Sequence, residues 1–146
     1  MLEIQELSNK QIDEVLKRLD YGHLACSKND VPYVVPIHFV YHTGEIFIYT
    51  TEGKKSDIID KNPRVCIQTE EVTDNQNWIS VIVEGIAERV SDPVKRERVI
   101  KRVLVHNPTL TPALSIHWMD NWVRENIEVV YRITPTVTSG RQTLHR

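Results

Sequence analysis

The hydrophobic pattern near the start of the chain is that of one amphipathic helix. Apolar residues share a single helical face at Ile12, Val15, Leu16 and Leu19. Ser8 precedes them as an N-cap residue, and Gly22 follows as a stop signal. We therefore predict a helix over about residues 9 to 20, with ends defined to within ~2 to 4 residues.

After this helix the pattern changes to short runs rich in β-branched and aromatic residues. These runs cover 23–27, 33–41, 45–50, 64–72, 79–90 and 126–134. Helical patterns interrupt them only at 53–60 and from Asp92 to Asn107, while 109–122 is predicted as loop or broken helix. Because regular βαβ alternation is absent, we predict a mainly β fold with peripheral helices, built as a six-stranded antiparallel barrel. Gly85, inside the fifth run, indicates a bulge or a close backbone approach.

Composition limits the classes of protein and partner. The 146 residues are 40% hydrophobic and 26% charged, which is typical of a single globular domain spanning 1–146. Lys and Arg (18) nearly balance Asp and Glu (20), so we expect no binding to nucleic acid. No apolar run approaches the ~18 residues of a spanning helix and the first residues are acidic, so neither membrane insertion nor secretion is expected. Cys26 and Cys66 lie in apolar segments without metal-site spacing, so we expect free thiols and a cytoplasmic location.

One turn has the pattern of an anion site. The predicted strand that ends at Thr50 and Thr51 turns through Gly53 into a short helix, whose N-terminal amides and dipole favour a negative charge. Lys54 and Lys55 add positive charge, and the threonine hydroxyls can donate hydrogen bonds. The glycine spacing is not that of a P-loop, and a solvated basic loop is the alternative. We predict that this turn holds a phosphate group.

The strand that precedes this hairpin carries two prolines, Pro32 and Pro36. Each removes a backbone donor, so such a strand belongs at an edge or a bulge. Backbone groups left free there can meet the polar edge of a flat heterocycle, while Val34, Val35 and Ile37 offer apolar surface. The alternative is an ordinary edge strand.

Five short segments, taken in order, resemble the flavin-binding split-barrel family of pyridoxamine 5'-phosphate oxidase-like proteins. The likeness is particularly to its branch of nitroimidazole-resistance proteins. The segments are Gly22-His23-Leu24-Ala25, Val31-Pro32-Tyr33-Val34-Val35-Pro36, Ile46–Lys55, Asn62-Pro63-Arg64-Val65-Cys66 and Val83–Val90. Their order over about residues 20 to 90 is moderately specific.

The resemblance implies a homodimer with one FMN in each of two crevices between the subunits, with FAD as the alternative flavin. It places Lys55 at the phosphate, assisted by Lys54 and Thr50, in the turn that also contains Thr51 and Gly53. It places the flavin ring along Tyr33, Val34, Val35, Pro36 and Ile37. Candidates for completing the partner's site are Trp118, Trp122 and Arg141. For both tryptophans, packing of the last loop is the alternative.

The function implied is that of an oxidoreductase. It would pass reducing equivalents from a nicotinamide nucleotide to a small planar acceptor through the flavin. The alternative is a non-catalytic protein that stores, senses or carries a flavin or a haem on the same barrel, with His23, His38 and His42 as candidate haem ligands. The chain has Ile48-Tyr49-Thr50 where the nitroimidazole-resistance branch commonly carries a histidine, so the acceptor stays unassigned.

Two further patterns are assigned no chemistry. His38 and His42 are four residues apart, which on a strand spans ~13 Å, so we predict no metal site. The helix after Asp92 is rich in basic residues, which we expect to form a solvated face. These residues are Lys95, Arg96, Arg98, Lys101 and Arg102.

Overall fold

Seven strands and three helices make up the residues that the computed structural model describes, 1–106 and 128–146. In chain order they are β1 (Leu2–Glu6), α1 (Asn9–Arg18), β2 (Tyr21–Lys28), β3 (Val31–His42), β4 (Glu45–Thr51), α2 (Lys54–Lys61), β5 (Arg64–Asp74), β6 (Asn77–Arg89), α3 (Pro93–His106) and β7 (Glu128–His145). The predicted loop 109–122, with Trp118 and Trp122, lies outside the described residues.

The strands form one antiparallel sheet that closes on itself. Its order is β1-β7-β4-β3-β2-β5-β6, and β6 also pairs with β7, so β2 to β7 form a closed ring. β1 adds to β7, with Leu2 opposite His145 and Glu6 opposite Arg141. The prediction of a mainly β, antiparallel barrel with peripheral helices is confirmed, but the sheet has seven strands instead of six.

The sequence pattern predicts neither β1 nor the full length of β7. Residues 2–6 are exposed along almost the whole strand, so they lack the alternation of apolar and polar residues that a half-buried strand shows. Pro135 and Gly140 break the apolar run of β7, yet the strand continues to His145. A register shift opposite Glu84 and Gly85 accommodates the extra residue Thr136.

The bulge predicted at Gly85 is therefore present, and its extra residue lies on β7. Gly85 is required because a Cβ atom there would lie 2.6 Å from the carbonyl oxygen of Thr134. Gly22, predicted as a helix stop, instead lies within β2, where a Cβ would lie 2.3 Å from the carbonyl oxygen of Gln68. Both glycines allow neighbouring backbones to approach closely.

The barrel interior is filled by the inward-facing residues of the strands. Among the fully buried ones are Leu24, Phe39, Ile46, Ile48, Ile67, Val81, Val83 and Ile133. α1 begins with a capping box between Ser8 and Gln11 and buries Ile12, Val15 and Leu16 against this core, as the sequence predicts. α3 covers the outer side of β3, β4 and β7, where Val99 and Ile100 pack against Val40, Tyr49 and Val130.

α2 closes one end of the barrel. Its residues Ile58 and Ile59 are buried in the core cluster. At its C-terminal end the Asn62 side chain donates a 2.9 Å hydrogen bond to the carbonyl of Ser27 on β2, and Pro63 accepts one from the amide of Ala87 on β6. The C-terminal end of α2 is thus attached to β2 and β6, the two strands that flank β5. Among residues 1–106 and 128–146, no helix has the length and apolar character needed to span a membrane.

Candidate functional site

The barrel is split between β3 and β4. These strands pair only from Phe39 opposite Ile48 to His42 opposite Glu45, next to the hairpin turn. Beyond Ile48, residues Tyr49–Thr51 of β4 pair with β7 and with no other strand that the structure describes. The first part of β3, residues 31–38, pairs with β2 alone within the described residues. The two strands therefore separate toward the N-terminal end of α2, and the space between their unpaired edges is called the crevice below.

Alternation along β3 determines which backbone groups face this crevice. The amide of Phe39 donates to the carbonyl of Asp20, on the β2 side. In an antiparallel pair the N–H and C=O of one residue point the same way and successive residues alternate, so the odd-numbered residues bond to β2. Pro32, Val34 and Pro36 thus direct their backbone groups to the open edge. The two prolines cost β3 no ladder bond, and between them Val34 presents an N–H flanked by carbonyls.

The predicted ring-lining residues divide between the two faces of β3. Tyr33, Val35 and Ile37 point to the barrel interior, and Ile37 is only 1% exposed. Val34 and Pro36 point outward, and Val34 is 62% exposed. Of the five, only Val34 and Pro36 direct backbone groups to the open edge, and the five side chains cannot all contact one ring.

The turn before α2 is held by its own hydrogen bonds. The amide of Gly53 donates to Ser56 Oγ at 2.8 Å, and the Ser56 hydroxyl donates to the Glu52 carboxylate at 2.9 Å. Gly53 itself is extended, with φ 164°, so this backbone conformation does not require glycine. A Cβ atom there would meet nothing within 4 Å, which means that the space above Gly53 is open. A group could therefore approach the start of α2 at this point.

The two lysines of the turn have different environments. Lys54 is exposed and its ammonium lies 4.7 Å from the centre of the Tyr33 ring, so it bridges α2 and β3 across the crevice. Lys55 is only 5% exposed. Burial lowers the pKa of Lys55 below its usual value, and the neighbouring Cys26 thiol partly opposes this. An anion at the turn would offset the cost of burying the Lys55 ammonium.

The threonines at the end of β4 are both buried at 1% exposure. Thr50 points to the interior beside the crevice, and its Oγ1 has no hydrogen-bond partner among the described residues. A buried hydroxyl without a partner costs about 1 to 3 kcal/mol. Thr51 faces the other side of the strand. Of the two, Thr50 has an unmet requirement that a bound polar group could satisfy.

A charge cluster that the sequence does not reveal fixes α2 in place. Arg89, at the end of β6, donates two hydrogen bonds to each of two carboxylates, Glu52 before α2 and Asp60 in its last turn. These bonds are the main reason why the pKa values of Glu52 and Asp60 lie below their usual range. Tyr131 donates to Asp60 at 3.1 Å and lies under the Arg89 guanidinium. The cluster joins residues far apart in the chain, so no local motif predicts it.

The remaining candidates lie away from this crevice or have other contacts. His23 contacts Gln68, His38 contacts the carbonyl of Asp20, and His42 contacts Arg102. Within the described residues no three His, Cys, Asp or Glu side chains form a group that could hold a metal. Arg141 lies twelve residues along β7 from Val129, the residue opposite Thr50, a path of about 40 Å. Arg141 thus lies far along the strand from this crevice.

Comparison with known proteins agrees with this architecture. Residues 8–142 match the pyridoxamine 5'-phosphate oxidase family. The structure is similar to that of an FAD-binding protein from Mesorhizobium loti, with a TM-score of 0.79 and 27% identity over 99% of this chain and 100% of that one. It shares its fold with a structure from Bacteroides thetaiotaomicron proposed to be a 5-nitroimidazole antibiotic resistance protein, with a TM-score of 0.73 and 16% identity over 100% of this chain and 93% of that one.

A sequence relative is an uncharacterised protein of Rhizobium meliloti. It is 32% identical over 82 residues, which are 56% of this chain and 54% of that protein. The match to this curated relative thus spans about half of its length. The family match, in contrast, runs from the start of α1 almost to the end of β7. Because it includes both sides of the split and the turn before α2, the chain belongs to the pyridoxamine 5'-phosphate oxidase family.

Proposed function

We propose that this protein binds a flavin nucleotide in the crevice between β3 and β4 and works as an oxidoreductase. The observation that carries the proposal is the combination of an open backbone edge with a basic turn at one end of it. The FAD-binding protein from Mesorhizobium loti, which has the same fold, supports a flavin as the ligand. FMN is the smaller ligand that this crevice and turn would hold, and FAD would extend beyond them.

The residues present fit such a ligand in three respects. Thr50 Oγ1 is buried without a partner in the described chain, and the space above Gly53 is open. Lys55 carries a buried ammonium that gains from a nearby anion. In this proposal Lys54, Lys55 and Thr50 hold the phosphate end, with Thr51 and Gly53 shaping the turn.

The edge of β3 fits the polar side of the flavin ring. That side carries both acceptors and a donor, and the edge offers the Val34 amide between carbonyl acceptors. Tyr33, Val35 and Ile37 keep the edge straight by packing inward, while Val34 and Pro36 provide outward apolar surface. When bound, the flavin supplies hydride and electron transfer. The chain's own part is to orient the ring, exclude water from one side and set the local charge.

We further propose that the functional unit is a homodimer. A row of residues crosses the outer face of the sheet in register: Val34, Ala25, Cys66, Glu84 and Val137. Val34 and Val137 are more than half exposed, and the cavity on this face has a volume of about 590 Å³. An apolar, concave face next to the crevice suits a second copy of the chain. Two free thiols support a reducing, cytoplasmic setting.

The proposed activity takes electrons from a nicotinamide nucleotide and gives them to a small planar acceptor. The test is anaerobic mixing of the flavin-loaded protein with NADH or NADPH, followed by addition of an acceptor such as a quinone. Bleaching of the flavin by the nucleotide and its recovery on adding the acceptor support the oxidoreductase. Flavin that stays oxidised in both nucleotides and is released only on denaturation would instead indicate a passive flavin carrier.

A further inference from the structure

A basic cavity separate from the crevice lies at the start of β4, near Glu45. It has a volume of about 360 Å³ and forms where α3 lies over the β3–β4 hairpin. Phe47, Val90 and Val99 make its apolar part. Its charged and polar lining consists of Lys95, Arg98, Arg102, Arg132, His42, Thr43 and Glu45.

The spacing of basic residues on α3 produces this arrangement. Lys95, Arg98 and Arg102 follow one another at intervals of three and four, so they share one face of the helix. Val99, 7% exposed, lies next to them and packs against the sheet. The sequence predicts these side chains as a solvated face. Lys95, Arg98 and Arg102 are exposed, in agreement with that prediction, and they also line the cavity.

The cavity has more positive than negative charge. Lys95 and Arg98 are exposed and have neither an ion pair nor a hydrogen bond with any residue in the described part of the chain. The Arg102 guanidinium lies 3.2 Å from His42 Nδ1, at hydrogen-bonding distance. Among the described lining residues, four cations thus face one carboxylate, that of Glu45.

Arg132 is less exposed than the other three cations of the cavity. Its guanidinium is shared between Glu45 at 3.4 Å and Glu88 at 3.3 Å. Its Nε is buried and makes no hydrogen bond with the described residues, although the Glu45 carboxylate is close enough for an ion pair. Guanidinium groups at the wall of a partly apolar cavity bind oxyanions more strongly than the same groups in open water.

We propose that this cavity binds the phosphate of a small phosphate monoester, whose apolar body lies against Phe47, Val90 and Val99. A dianion matches the excess of converging cations better than a single carboxylate does. The cavity and the crevice lie at opposite ends of β4, from Glu45 to Thr51, about 20 Å apart along the strand. The proposed site is therefore independent of the flavin phosphate.

Phenyl phosphate is the probe that tests this site. We expect saturable shifts of backbone amide signals in α3 and at Phe47 in two-dimensional NMR, with and without excess FMN. Arg98→Ala should weaken binding by about three- to tenfold. Lys101→Ala is the matched control, because it removes one exposed charge from the same helix outside the cavity. Phenol, which lacks the phosphate, should not produce the shifts.

Three results would overturn the proposal. One is equal weakening by Arg98→Ala and Lys101→Ala, which would mean general attraction to a basic helix. Another is a set of shifts confined to residues 53–56, which would place the probe at the turn before α2. The third is an absence of saturable shifts. A protein that binds no flavin but still binds phenyl phosphate at α3 would refute the proposed function and leave this site intact.

Discussion

Replacing Val34 by proline tests whether the Val34 backbone amide, at the open edge of β3, binds the ligand. Val34 is 62% exposed, so the loss of its side chain should have little effect on the core. Its amide faces away from β2, as do the nitrogens of Pro32 and Pro36 on the same edge. The change therefore removes one donor from the crevice without removing a ladder bond. Tyr33, the residue before the new proline, is already extended, as proline requires.

The expected loss follows from one hydrogen bond. A neutral amide-to-carbonyl hydrogen bond contributes about 0.5 to 1.5 kcal/mol. Its loss should therefore raise the dissociation constant for FMN roughly 2- to 13-fold. The measurement is quenching of flavin fluorescence on titration with protein. Val34→Ala is the matched control, because it shortens the side chain and keeps the amide. The midpoint of urea unfolding should be similar for both variants.

Two results would refute this reasoning. Equal FMN affinity of Val34→Pro and Val34→Ala would show that the amide does not contact the ligand. Marked destabilisation of Val34→Pro alone would show that the amide is used within the sheet, contrary to the alternation derived from Phe39 and Asp20.

Three further predictions concern the turn, its charge cluster and the bulge. Lys55→Met should weaken FMN binding by about 10- to 100-fold and leave the binding of riboflavin, which has no phosphate, nearly unchanged. Equal losses for both ligands would show that Lys55 does not contact the phosphate. Arg89→Gln should lower the free energy of unfolding at neutral pH by about 1 kcal/mol, since the ion pairs are partly exposed. Arg89 lowers the pKa values of Glu52 and Asp60 in the folded protein. Its stabilisation is therefore fully present above the pKa values of these groups in the unfolded chain, about 4.5 and 3.8, and it is lost as the pH falls through their lower pKa values in the folded protein. When urea unfolding is measured from pH 7 to about pH 3, the free energy of unfolding should thus decrease less for Arg89→Gln than for the wild type. Parallel curves for the two proteins would contradict the ion pairing. Gly85→Ala should destabilise by about 1 to 3 kcal/mol in the same assay, and an unchanged midpoint would mean that the bulge can move aside.

Much of the fold follows from local patterns, and the exceptions have physical causes. α1 is predictable because Ser8 caps it and Ile12, Val15 and Leu16 share a face. β1 is not, because a strand exposed on nearly all positions has no buried face to create a pattern. β7 runs past Pro135 because the bulge opposite Gly85 absorbs the irregularity, and that depends on a strand distant in sequence.

The candidate site divides in the same way. The prolines of β3 correctly indicate an edge, since an edge is where missing donors cost least. The basic turn before α2 is also visible in the sequence. The sequence does not show the burial of Lys55 or the ion pairs of Arg89 with Glu52 and Asp60. Both depend on where α2 packs against strands that are distant in the chain. Flavin contacts and the second subunit stay predictions.

The most direct test of the central claim is the visible absorption spectrum of the purified protein, with mass identification of whatever denaturation releases. We predict the two bands of an oxidised flavin, or their appearance with quenched fluorescence when FMN or FAD is added, and a released mass equal to that nucleotide. Protein that is colourless as purified and binds neither FMN nor FAD would contradict the proposal that the crevice beside Gly53 and Lys55 is a flavin site.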